Sequence, residues 1–411
     1  MFNNIISYSV YHSKIIVFIF IILSFFGFKL IEKNNFDAIP DLSDKQVIVE
    51  INYPSSSPKT IEEQITYPLT QKLISVPNTK TVRGFSFVNK SYIYIIFEDN
   101  VDLYWARSRV LEYLNSAESI LPQNATYNLG SDASGVGWIY QYALIDKTNT
   151  FDIEELTRIQ NWELKQKLES VKGVAEIATV GGFNKEFRIT INPFKLISYN
   201  ITINDVINSI KSNNNEVGGG LLEQGEKEFL IQSNGLITEI EDIKNIVIKY
   251  NNETKQGITL SDVGFVVESA KSRRGLAELN GQGEVVGGIV VMRYNENPLN
   301  VINNIKNKIK EIKKTLPKEV ELVSVYDRST LINKSIDNLE NKIIKEIIII
   351  SLVCLILFLS ISSSIVIIIT MPVSLLISFI FTYFMNINLN IMSLAGLAIS
   401  IGVVTDSAIV M

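Results

Sequence analysis

The chain has 411 residues, 46% of them hydrophobic and 20% charged, with a formal net charge of −5. One cysteine and one histidine exclude a disulfide framework and a Cys/His zinc site. The acidic balance, with no basic stripe, excludes nucleic acid as a partner.

The first apolar block covers residues 15–31, after a short N-terminal segment 1–14 that carries His12 and Lys14 and no acid. At about 20 residues needed to cross a bilayer it is slightly short, but Lys29 lies near its end and can extend its ammonium to the interface. A secretory signal peptide is the competing reading. FKLIEKNN stands where a small-residue cleavage site would be, which favours an uncleaved anchor with a cytoplasmic N-terminus.

From Glu32 to Glu346 the chain is charged throughout and reads as globular. QVIVEINY alternates as a strand; TIEEQITYPLTQKLI has helical spacing; KTVRGFSF and YIYIIFED are strands; VDLYWARSRVLEYLNSA is a helix; ATYNLG closes the set. That order is β-α-β-β-α-β, the ferredoxin-like split unit, over 32–135. In its second helix Leu103, Ala106, Val110 and Leu114 share one face, Asp102 is placed to cap the N-terminus, and Arg107, Arg109 and Glu112 form a solvated face. The same order begins again with VGWIYQYALI and a helix opened by Asp152, breaks off, and resumes at GEVVGGIVVMRY. A second unit is therefore expected over 136–182 and 273–330, with a subdomain inserted at 183–272. The glycine clusters GGG (Gly218–Gly220) and VGGF read as turns, because neither stands between a strand and a helix as a phosphate loop does.

After a connection at 331–346, the chain has no Asp, Glu, Lys, Arg or His from Ile347 to Thr405. A soluble core does not sustain so long an uncharged run, so the block is membrane. Polar turns at SISSS (Ser360–Ser364) and NINLN (Asn386–Asn390) divide it into spans at 347–360, 365–384 and 391–411, which makes four spans with the first.

Asp406 lies in the last of these. Counted from Ile391 at about 1.5 Å per residue, it sits roughly 22 Å into a core of about 30 Å. An ionisable group at that depth costs on the order of 2.5 to 3.5 kcal/mol. Ala395, Ala398, Gly402 and Asp406 share a face of small residues that admits another helix, so the acid is expected to face protein and a partner cation. Burial raises such a carboxyl's pKa and a nearby cation lowers it, which suits a proton relay. The alternative is a structural acid hydrogen-bonded to Thr405 or Ser407. Residues 347–405 hold no cation, so the partner is expected elsewhere. There is no GxxxxGK[ST] loop, and a Ser/His/Asp triad would depend on His12 at the membrane edge, so an ATPase or hydrolase has no support.

The motifs DAIPDLSDKQVIVE, TYPLTQKLISVPNTKTVRGFS, YWARSRVLEYLN, SGVGWIYQYALID, RRGLAELNGQGEVVGG, YDRSTLI and NIMSLAGLAISIGVVTDSAIVM together resemble the resistance-nodulation-division (RND) transporters, in their heavy-metal efflux, CusA/CzcA-like branch. The resemblance runs from near the N-terminus to Met411. It implies a membrane α-helical bundle plus an α+β periplasmic domain, with ferredoxin-like porter subdomains and an inserted docking subdomain, in a multi-pass inner-membrane protein. It also implies a homotrimer working with a periplasmic adaptor and an outer-membrane channel, no resident cofactor, a metal cation as cargo, and secondary proton antiport. Asp406 matches the relay acid of the fourth span; an acid and a lysine from a second half complete that relay, so this chain is expected to be the N-terminal part of a longer pump. The drug-exporting branch carries two adjacent acids there, whereas this chain has Thr405-Asp406-Ser407. Met392 and Met411 match methionines of a membrane path for Cu(I) or Ag(I), which favour thioethers, or are simply packing residues. Val404 and Ser272 depart from that methionine pattern. Divalent Zn, Co, Ni or Cd export, a drug- or lipid-exporting pump, and a membrane-anchored binding or sensor module are the other readings.

Overall fold

The computed structural model describes residues 8–410 except 10, 32, 149, 226, 234, 251–255, 274, 359–360 and 386. The chain divides into two compact units, one made of residues 1–150, 159–180 and 285–411, the other of 151–158 and 181–284.

In the larger unit, helix α1 (Ser13–Ile31) is followed by β1 (Gln46–Asn52). Next comes a helix, α2, built from Pro58–Ile61, a widened π turn Glu62–Thr66, and Tyr67–Leu73. Then follow β2 (Thr79–Phe87), β3 (Lys90–Phe97), α3 (Leu103–Ser116) and β4 (Thr126–Leu129). These strands form one antiparallel sheet in the order β2-β3-β1-β4, with Val49 opposite Ile93 and Ile51 opposite Tyr127. Alternation sends Val47, Val49 and Ile51 of β1 and Ile93, Ile95 and Phe97 of β3 to the same face. There they meet Ile61, Ile65, Leu69 and Leu73 of α2 and Leu103, Ala106, Val110 and Leu114 of α3 in one buried core. Asp102 caps α3, its Oδ1 accepting from the Trp105 amide at 2.8 Å. Arg107, expected on a solvated face, instead donates to the Gly130 carbonyl at 2.7 Å and pins the turn after β4.

Buried Thr66, on the π turn, hydrogen-bonds Ser86 at 2.8 Å and Ser91 at 2.7 Å through its hydroxyl. Gly84 makes this approach possible: a Cβ there would lie 2.4 Å from the Thr66 methyl.

A second sheet contains β5 (Trp138–Asp146), β6 (Val174–Gly181), β7 (Glu284–Met292) and β8 (Val320–Asp327). β5 lies between β7 and β8, antiparallel to both, and β6 also pairs with β7. A second π turn, Ile159–Lys165, continues into the helical residues Gln166–Glu169, here α4, and α5 (Pro298–Ile312) is amphipathic with Val301, Ile302, Ile305 and Ile309 inward.

The smaller unit has its own core of Ile201, Val206, Ile243, Ile246, Ile258, Leu260, Val263 and Val266. Strands Lys185–Ile191 and Gly264–Ala270 pair antiparallel within it. A separate hairpin joins Val217–Gln224 to Lys227–Ser233. The GGG cluster, expected as a turn, lies inside the first hairpin strand, where the register shifts between Gly218 and Gly220 and Gly220 takes φ +87°. A bulge needs such a residue as much as a turn does.

Back in the larger unit, β8 leads directly into α6 (Arg328–Phe358), then α7 (Ile361–Phe384) and α8 (Ile391–Val410). The expected connection 331–346 is therefore helix, continuous with the apolar stretch from Ile347; Lys334, Asp337 and Lys342 are exposed on it while Ile332 is buried. Ser362–Ser364, expected in a polar turn, belong to the first turn of α7. Three helices are long and apolar enough to cross a membrane among the described residues, over Ser13–Ile31, Ser364–Phe384 and Ile391–Val410.

Candidate functional site

Helix α8 carries the acid singled out by sequence. Asn390 caps it, with Oδ1 accepting from the amides of Met392 (3.0 Å) and Ser393 (3.1 Å). Its inward stripe is Leu394, Leu397, Ile401, Thr405 and Ala408. These pack on α6 and α7, with Ile401 beside buried Cys354 and Met371. Asp406 is the next residue around the helix from buried Thr405 and is exposed, as are Gly402 and Ala395, while Ala398 is half-buried. A Cβ on Gly402 would meet nothing within 4 Å. The small-residue face expected to receive a helix thus exists, but within this chain it points away from the other packed helices.

The hydrogen bonds bear directly on the structural alternative for Asp406. The Thr405 hydroxyl donates to the Ile401 carbonyl at 2.7 Å and the Ser407 hydroxyl to the Val403 carbonyl at 2.9 Å. Both neighbours spend their donors on their own helix, and Asp406 has no hydrogen-bond partner among the described residues.

Met392 sits in the first turn of α8, 71% exposed, and Met411 lies outside the described residues. Sulfur does meet sulfur's surroundings elsewhere: Cys354 and Met371 share one buried cluster. Among the described residues, no group of three or more His, Cys, Asp or Glu side chains is arranged to hold a metal.

Where the helices meet the sheets, the structure brings together residues that sequence reasoning did not pair. Asn34, 3% exposed, donates to the carbonyls of Leu30 (3.0 Å) and Phe379 (3.3 Å) and accepts from the Thr382 hydroxyl (3.3 Å), joining the end of α1 to α7. Phe36 and Leu389 form a parallel bridge: the Leu389 amide donates to the Asn35 carbonyl at 2.8 Å and the Asp37 amide to the Leu389 carbonyl at 2.7 Å. The Asp37 carboxylate then faces Arg328, whose Nε is 2.8 Å from Oδ1 and whose side chain is 2% exposed. Arg328 Nη1 donates to the Val136 carbonyl just before β5, and Nη2 is buried without a partner among the described residues. Burial pushes the Asp37 carboxyl above the ordinary range; the Arg328 charge pulls against this without reversing it. Beside the pair opens a cleft of about 460 Å³ whose lining includes Asp37, Asp44, Asp99 and Glu296. The motifs DAIPDLSD and YDRSTLI contain both partners, so the signal was in the sequence as two unconnected strings.

The sequence profile of the AcrB/AcrD/AcrF family matches residues 5–411. The cation efflux system protein CusA of Escherichia coli (strain K12) is 44% identical over 411 residues, all of this chain and 39% of that protein. The cobalt-zinc-cadmium resistance protein CzcA of Cupriavidus metallidurans is 31% identical over 366 residues, 87% of this chain and 34% of that one. A crystal structure of a heavy metal efflux pump superposes with a TM-score of 0.85 at 30% identity, covering 97% of this chain and 40% of the other. This chain therefore spans well under half the length of these relatives, and it belongs to the AcrB/AcrD/AcrF family, in the heavy-metal branch of the RND efflux transporters.

Proposed function

We propose that the chain is the N-terminal part of a proton-driven inner-membrane pump that exports a monovalent soft metal, Cu(I) or Ag(I). In this reading it assembles as a homotrimer with a periplasmic adaptor and an outer-membrane channel, its two βαββαβ-ordered sheets act as ferredoxin-like porter subdomains, and the unit around residues 181–284 contains the docking subdomain. One observation carries the proton-coupling part: Asp406, in an apolar helix, has neither adjacent hydroxyl bound to it and stands on a small-residue face open to a further helix. An acid so placed is expensive unless something outside the described residues meets it, and a movable cation is the partner that makes protonation reversible. Each charge that crosses gains about 2.3 kcal/mol per 100 mV, which suffices to drive export when coupled to a conformational cycle.

Similarity supports the monovalent reading without more: identity to CusA, 44%, exceeds that to the cobalt-zinc-cadmium protein, 31%. A divalent cation is the second reading, favoured by Val404 and Ser272 at positions where methionine belongs to the monovalent pattern. In the full-length protein, Asp406→Asn is expected to abolish resistance to silver and copper with expression and assembly unchanged. Retained resistance refutes the relay. Protection against zinc or cobalt, but not silver, by the unaltered protein overturns the monovalent assignment.

A further inference from the structure

The ion pair between Asp37 and Arg328 joins three parts of the larger unit that the chain itself connects only through long detours. Asp37 follows α1, and its backbone is bonded to Leu389, one residue before the Asn390 cap of α8. Arg328 is the first residue of α6 and also donates to Val136, which leads into β5. Leu389 and Asp37 thus form a contiguous set of contacts from the capped end of α8 to Arg328, which itself opens α6 and bonds the segment just before β5.

Three features of the pair suit a moving joint better than a static clasp. The carboxylate meets the guanidinium at Nε, 2.8 Å from Oδ1, and not bidentately across the fork. Nη2 is buried with no acceptor among the described residues, an arrangement that normal packing avoids. Arginine's planar fork can exchange which nitrogen meets a carboxylate while its charge stays paired. We propose that Asp37 and Arg328 form a two-setting joint that couples movement of the relay helix α8 to the porter sheet, as positioning residues for transport; this rests on the proton-driven reading of Asp406.

The test uses the full-length protein in sealed vesicles, with silver ion as cargo and a fixed pH gradient. Asp37→Asn alone leaves Arg328 buried and uncompensated, which threatens folding. The informative variant is therefore the neutral pair Asp37→Asn with Arg328→Met, and Arg328→Lys is the second, since it keeps the charge balance but not the fork. For either variant that retains the wild-type thermal midpoint, the expected result is a maximal rate lower by about tenfold with an unchanged half-saturating silver concentration. A wild-type rate in the neutral pair or in Arg328→Lys overturns the proposal, as does a drop in silver affinity alone. Asp406→Asn runs alongside: full transport there refutes the relay reading, whereas loss there with full transport in the neutral pair refutes only the joint.

Discussion

Gly27 of α1 packs against the backbone of Leu376 in α7, so closely that a Cβ added at Gly27 would lie 2.6 Å from the Leu376 carbonyl oxygen. Nothing flexible can yield there, because the obstacle is main chain. Helices in lipid gain little from burying apolar surface against one another and depend on close approach at small residues. Gly27→Ala is expected to force the two helices apart and lower the thermal midpoint of the detergent-solubilised protein, with overpacking costs of about 1–3 kcal/mol. Gly396→Ala, off the small-residue face of α8 and where a Cβ meets nothing, is the matched control and should not lower the midpoint.

The hydroxyls beside Asp406 give a second expectation. Because Thr405 and Ser407 donate to Ile401 and Val403 of their own helix, neither holds the acid. In the full-length protein, Ser407→Ala and Thr405→Val are expected to keep silver resistance near the wild-type level, in contrast to Asp406→Asn. Loss of resistance in Ser407→Ala with assembly intact would return the acid to a hydrogen-bonded structural role.

Thr66 provides a stability prediction outside the membrane. Its hydroxyl bonds two serines, Ser86 on β2 and buried Ser91 on β3. Thr66→Val preserves shape but strands both serine hydroxyls, a cost of about 1–3 kcal/mol. Chemical denaturation that monitors the α2–sheet core should show the loss, and Thr66→Ser should recover most of it.

The pH dependence of folding has a readable sign at Asp327. Burial alone would raise its carboxyl, but Lys306, 2.5 Å away, and the Ser329 hydroxyl and amide together hold it below the ordinary value. A depressed folded-state pKa means stability that is present above the unfolded value, about 3.9, and is lost as pH falls through the folded one. Thermal midpoints measured downward from about pH 5 should fall more steeply in the wild type than in Asp327→Asn, while Asp327→Asn should be the less stable protein near neutrality. Parallel curves would remove Asp327 from the acid response.

Local chemistry was legible where one element decides its own outcome. The alternation of Val47, Val49 and Ile51, the apolar face of α3 and the Asp102 cap all follow from spacing within a few residues, and each appears in the structure. Long-range pairing was not. An arginine reads as surface by type, and nothing near Arg328 announces that Asp37 will enclose its charge. Likewise NINLN reads as a turn, yet Leu389 within it is 0% exposed and bridged to Phe36. For Asp406 the residue and its small-residue face were legible from spacing, but the identity of what meets that face lies beyond any local pattern.

The widened turn in α2 has a consequence for helical phase. Ile61, Ile65, Leu69 and Leu73 are all 0% exposed and recur every fourth residue, a step that on an ordinary α-helix overshoots a full rotation by about 40° each time. Three such steps would swing the last leucine about a third of the way round, out toward water. Opening the backbone at Glu62–Thr66 unwinds the helix enough to cancel that drift, and Thr66 is turned inward by the same adjustment. Removing one residue from this stretch would let the coil tighten to the ordinary pitch with its phase kept, because eleven steps of about 100° fall within about 20° of the three full rotations from Ile61 to Leu73. The loosened turn is thus what keeps a four-beat sequence in step with the sheet beneath it.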